Sequence, residues 1–398
     1  MGKTTGTAQF ADAPPGDDFY TPPSPLLGTH GDVIWRRPLS GIAALKAAGT
    51  NELVLYRSDA ADGAPIAVSG IIALPKTPAP AGGYPVVSWA HGTLGLGDKW
   101  APSRDSEAIA AEQPEHHAIN QAPHVLLNAL LEQGFAVVMT DFEGMGTPGS
   151  HPYLLGVSEA RGVLDIVRAA RQLYPEISNR FVIAGHSQGG QGALFAAHLA
   201  ASWTPELQLH GVAALAPASH VTDILLEGSR YPKEFPGFAF TPLLLTGAIV
   251  GAKASGRPID PRKILTDRAF ALFEVSGDKC RVELSDDKLW GGIPGTEQFR
   301  GNLTDEPNED QKEFLRQLDL TNPALTIPCP IRISHAQPDP RIAIADSHKL
   351  VEELTGLRND ITYRIYREVA DHLVGPHFGV IATDTPALSA WVRLQLGS

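Results

Sequence analysis

Apolar residues fall along this chain in two alternating textures. Some form unbroken runs, the mark of a strand buried on both faces; others recur at helical spacing, the mark of a helix with one buried side. Unbroken runs at 85–90, 135–140, 180–184, 211–215, 330–334 and 361–366 predict strands. Helical spacing at 122–133, 156–173, 191–201, 341–354 and 376–396 predicts helices, with Gly134 and Pro175 as stops. Ahead of them, 52–74 reads as a leading hairpin, carried by Leu53, Leu55 and Tyr56, then Ile66, Val68 and Ile71. Strands alternating with helices give βαβ units, hence an α/β fold with a mainly parallel sheet flanked by helices.

The alternation breaks between 218 and 322, where Pro232, Pro236, Pro242, Pro258, Pro261 and Pro294 interrupt short apolar pieces and an acidic run follows at 305–310. This predicts a cap or lid insertion over 218–322 in a core made of 41–217 and 323–398. Residues 1–40, with many Pro and Gly between 12 and 38, read as an extended N-terminal arm.

With 43% hydrophobic and 19% charged residues among 398, the chain can bury a large core. A net charge of −12 disfavours a nucleic-acid partner. No Cys/His spacing suits a metal, and no phosphate loop or cofactor motif is present, so no cofactor is expected. Cys280 and Cys329 leave a disulfide open. Residues 1–10 lack the apolar stretch of a signal peptide, and the most apolar segment, 238–252, is too short and too broken to span a membrane. Oligomeric state is not readable.

The chemistry centres on Gly185-His186-Ser187-Gln188-Gly189, set between an apolar strand and a helix. G-x-S-x-G in that context is a nucleophile elbow: a sharp turn projects the serine Oγ from the sheet, with the following helix dipole aimed at any anion formed there. A serine needs a base, and the base an orienting acid. Asp339, in the loop after the strand 330–334, is the expected acid, with Asp346 as runner-up. His372, in the loop after 361–366, is the expected base; His377 is its competitor, more in keeping with opening the last helix or lining the site. The backbone N–H of Gln188 should supply one oxyanion donor, and the loop from Gly92 through Thr93 to Asp98 a second. His91, His186, Phe238, Phe240 and Leu244 are candidate pocket residues.

The runs Val86 to Thr93, Ala101-Pro102-Ser103, Gly-His-Ser-Gln-Gly-Gly and Asp371-His372-Leu373 resemble the secretory lipase family of α/β-hydrolases, in its lipase A-like bacterial branch. The resemblance implies a capped, cofactor-free hydrolase of esters or lipids, often exported, with Ser187, Asp339 and His372 as triad and Asp98 as the nearest match to an oxyanion-hole aspartate. A secreted or periplasmic location follows from it, a cytoplasmic one remaining open. The competing classes are an amidase or acyltransferase using the same serine, and an inactive hydrolase scaffold that only binds.

Overall fold

The computed structural model describes residues 12–232 and 238–397, the side chain of Phe238 excepted. Nine strands form one sheet: β1 (Val33–Pro38), β2 (Ala48–Asp59), β3 (Pro65–Pro75), β4 (Tyr84–Ala90), β5 (Ala136–Thr140), β6 (Ile177–His186), β7 (Gln208–Leu215), β8 (Ile331–Ala336) and β9 (Ile361–Tyr366). Their spatial order is β1-β2-β3-β5-β4-β6-β7-β8-β9. The β1-β2, β2-β3 and β3-β5 pairs are antiparallel; every pair from β5 to β9 is parallel.

Alternation along the strands builds two cores. Val86, Phe181, Ile183, Val212 and Ala214 face the helices Gly156–Leu173, Gln188–Trp203 and Ile344–Gly356. Their neighbours Val87, Val182, Ala184, Ala213 and Leu215 face His124–Glu132 and Pro376–Leu396. Side chains of a strand point alternately to opposite faces, so an unbroken apolar run requires helices on both. That is why these strands read clearly in the sequence.

The segment expected to be only an extended arm contributes β1, paired antiparallel with β2. Trp35 of β1 packs with Phe19 and Tyr20 and donates its indole N–H to the Phe19 carbonyl at 2.8 Å. Between β7 and β8 the chain forms a helical insertion running from the helix Val221–Gly228 to the helix Glu309–Asp319, with its own apolar core around Leu243, Leu245, Ile264 and Phe314. It is keyed to the sheet domain at Gly247, where an added Cβ would lie 2.0 Å from the Tyr153 carbonyl oxygen.

Candidate active site

β6 lies inside the sheet between β4 and β7, with Gly185 in register with Ala90 of β4 and Ala214 of β7. At its end Ser187 adopts φ 57° and ψ −117°, a strained conformation for a residue with a Cβ. Ser187 N–H donates to the Leu215 carbonyl at 2.9 Å, and its own carbonyl accepts from Ala218 N–H at 3.1 Å. The two motif glycines make the turn possible. A Cβ on Gly185 would lie 2.0 Å from the Gly189 oxygen, and one on Gly189 2.0 Å from the Ala90 oxygen. The helix Gln188–Trp203 starts directly after the serine, leaving the Gln188 N–H without an intrahelical acceptor.

Asp339 lies in the loop beyond β8, and its two oxygens divide their work. Oδ1 accepts from the N–H groups of Arg341 and Ile342 at 2.8 and 3.2 Å, fixing the turn. Oδ2 sits 2.6 Å from Nδ1 of His377 and 3.4 Å from Nε2 of His335. Burial pushes this carboxyl up, but the His377 charge and the His335 and His377 hydrogen bonds outweigh it and hold it well below the usual carboxylate range. His377 is buried; desolvation lowers its imidazole, with Asp339 opposing. The neighbouring His186 fixes the backbone of His377: its Nε2 lies 2.8 Å from the His377 carbonyl, and the two rings are 4.5 Å apart.

The histidine brought to Asp339 is therefore His377, which corrects the expectation of His372. After β9 the chain runs out past the sheet and turns at Gly375, whose N–H donates to the His372 carbonyl at 2.9 Å. His372 stays on this outer limb, with its Nδ1 accepting from Val374 N–H at 3.3 Å. The helix Pro376–Leu396 then returns over the sheet, and its first turn carries His377 inward. Asp346 lies in the helix Ile344–Gly356 and takes no part.

Ser187 and His377 line one cavity of about 70 Å³ together with Thr93, Tyr153, Phe240 and Leu244. Of the expected oxyanion residues, Thr93 reaches this cavity and holds the Tyr153 hydroxyl at 2.8 Å. Gly92 lies behind it, where a Cβ would approach the His186 ring. Asp98 is exposed and lines a different surface cavity with Lys99 and Glu112, so the expected oxyanion role does not fit its position. The Gln188 side chain is likewise turned away: its amide donates to Glu159 at 2.8 Å and contacts His151 Nε2 at 2.9 Å. Among the expected pocket residues, Phe240 and Leu244 line the cavity, and the Phe238 side chain lies outside the described residues. His91 and His186 are buried and line a separate small cavity: His91 is engaged with the Gly92 and Asp141 carbonyls, and His186 with His377.

Several residues of the site carried no sequence signal. Tyr153, Arg281 and Arg341 line the cavity from three distant segments. Glu159, buried behind the elbow, is driven by desolvation up to about 8, against hydrogen bonds from Gln188 and the Leu154 N–H. Ser103 of the Ala-Pro-Ser motif binds the buried Asp141 carboxylate through both N–H and hydroxyl, which gives that motif a structural use. Both cysteines are free and buried, and burial pushes each thiol up to about 12. Among the described residues no cluster suits a metal ion, and no helix is long and apolar enough to cross a membrane.

A mainly parallel sheet with a strained serine at the end of an inner strand, an Asp in the loop beyond a later strand and a His paired to it at the start of the last helix, defines the α/β-hydrolase fold. Residues 113–237 match the family model described as secretory lipase. A segment of 105 residues is 31% identical to lipase 7 of Candida albicans, a stretch covering 26% of this chain and 24% of that protein, so the match spans about a quarter of the curated relative. The fold resembles that of a rice cell wall degrading esterase, LipA from Xanthomonas oryzae, with a TM-score of 0.68 at 20% identity, covering 93% of this chain and 99% of that one. It also resembles Candida antarctica lipase A, with a TM-score of 0.69 at 18% identity, covering 91% and 83% of the respective chains.

Proposed function

We propose that the protein is a serine carboxylic-ester hydrolase with Ser187 as nucleophile, His377 as general base and Asp339 as orienting acid. The observation that carries this reading is the 2.6 Å Asp339–His377 contact lining the same cavity as a serine held at positive φ. Asp339 occupies Nδ1, which leaves Nε2 of His377 for the Ser187 proton as Oγ attacks the ester carbonyl. The N–H groups of Gln188 and Thr93 would stabilise the oxyanion. Collapse of the tetrahedral intermediate releases the alcohol with the proton carried by His377; water then attacks the acyl-serine and frees the acid. The inner cavity of about 70 Å³ is narrow, and it meets a chamber of about 590 Å³ at Phe240, Arg281 and Arg341, which favours a compact group beside the scissile bond while the insertion stays in place as a lid. Export from the cytoplasm agrees with the secretory description of the matching family model.

Turnover of p-nitrophenyl esters by wild type and Ser187→Ala tests the reading. Wild-type hydrolysis that vanishes in the variant is expected; undiminished turnover in Ser187→Ala would overturn it. Parallel assays on the matching anilides separate an amidase from an esterase.

A further inference from the structure

Arg281 and Arg341 line the cavity that holds Ser187 and His377, and also an adjoining chamber of about 590 Å³. Arg281 is 5% exposed, and its Nε is buried without a partner. Among the described residues its side chain makes no hydrogen bond and no ion pair. Arg341 has one long side-chain bond, 3.4 Å to the Val374 carbonyl, and its Nε is likewise buried and unpartnered. Both guanidinium groups stand near the Phe378 ring, at 5.9 and 5.7 Å from its centroid.

A buried cation beside a second, half-buried one, with no acid in contact, is an expensive arrangement. Burial first, and then the neighbouring Arg341, bring Arg281 down to about 9, so it remains charged at neutral pH. No Asp or Glu lines the inner cavity. Glu115, Asp286 and Asp287 line only the outer chamber, and none of them is in ion-pair contact with either arginine. Asp339, the nearest acid on the inner side, is engaged by His377 and bonds Arg341 only through its backbone N–H. Glu115 acts on both arginines, and Asp339 on Arg341, only through space, so a counter-charge in direct contact is what a ligand could bring. Planar guanidinium donors match a carboxylate fork in shape as well as charge.

We propose that Arg281 and Arg341 form an anion subsite, and that the preferred ester carries a carboxylate on the part of the molecule lying away from the scissile bond. This rests on the ester-hydrolase reading above and narrows its substrate class. The contrary reading is that the two guanidinium groups only pack on Phe378.

Mono-p-nitrophenyl glutarate and p-nitrophenyl valerate share a chain length and differ in a terminal carboxylate against a methyl group. At low ionic strength the wild type is expected to show the higher kcat/KM on the glutarate. In Arg281→Met the glutarate-to-valerate ratio of kcat/KM is expected to fall about tenfold or more, mainly through KM, with part of the ratio regained in Arg281→Lys. An unchanged ratio in folded Arg281→Met and Arg341→Gln overturns the subsite and leaves the esterase intact. Failure of the wild type to cleave either ester overturns the esterase reading instead. Should Arg281→Met not fold, free glutarate must inhibit valerate hydrolysis by the wild type competitively and more strongly than 1-pentanol does; equal or absent inhibition overturns the subsite.

Discussion

Two histidines near the start of the last helix differ in what a general base requires. His377 is buried, touches a carboxylate and lines the serine's cavity; His372 does none of these fully. Asn at 377 is expected to lower kcat by about 10³-fold or more, whereas Asn at 372 keeps kcat within about threefold of wild type, measured on a soluble ester. The pH profile carries a second prediction. Burial lowers His377 and Asp339 only partly offsets it, so the acid limb of kcat/KM should lie below the ordinary histidine value of about 6.5. Asp339→Asn removes the opposing charge; kcat falls by about 10³–10⁴-fold and the limb moves further to acid. A limb moving toward neutrality would contradict this assignment. The serine was legible because its motif records local backbone geometry. The histidine paired with Asp339 was not, because its choice depends on where a loop stops leaving the sheet and a helix turns back, a long-range matter that the spacing Asp371-His372-Leu373 does not encode.

Among the elements, the elbow is the most constrained. Gly189→Ala would drive a Cβ into the Ala90 carbonyl, backbone that cannot step aside, so a loss of about 2 kcal/mol or more is expected in denaturant unfolding. Behind the elbow, Glu159 is neutral at pH 7 because desolvation has raised it to about 8. Its folded pKa lies above its unfolded value of about 4.3, so the folded state binds the extra proton and stability drains away as pH rises from there through 8. Glu159→Gln imitates the protonated form. The Tm advantage of the variant over wild type should therefore grow between pH 5 and pH 8; a constant difference would show that Glu159 is not neutralised by folding. Strands β2 to β9 and the five long helices of the sheet domain were predicted within a few residues because each buries a face on a fixed period, while the short helices Glu107–Glu112 and Pro114–Gln121 were not. β1 escaped since Val33–Pro38 is an edge strand with a half-exposed, charged pattern set among turn residues. Glu159 escaped because nothing in a helical repeat marks which inward position will meet an amide.

For the whole molecule, the sheet supplies the serine, the loop after β8 supplies Asp339, the first turn of the last helix supplies His377, and the helical insertion supplies much of the apolar wall. The cavity between them is small, so activity across p-nitrophenyl esters is expected to peak at short to medium acyl chains and to fall steeply by palmitate. A maximum at palmitate would require the insertion to move well away from the serine. The break in alternation marked where the insertion lies, and Phe240 and Leu244 were read as pocket residues, but the cavity-facing Val221, Ile224, Leu225 and Thr241 were not. They gather from several short helices whose packing, and not their periodicity, decides which side chains point at Ser187.

The convergence of Ser187, His377 and Asp339 is tested most directly by the rate of fluorophosphonate labelling, with the modified peptide located by mass spectrometry. Wild type and His372→Asn should label at Ser187 at comparable rates, and His377→Asn at least about a hundredfold more slowly. Rapid labelling of His377→Asn, together with loss of labelling in His372→Asn, would contradict the arrangement described.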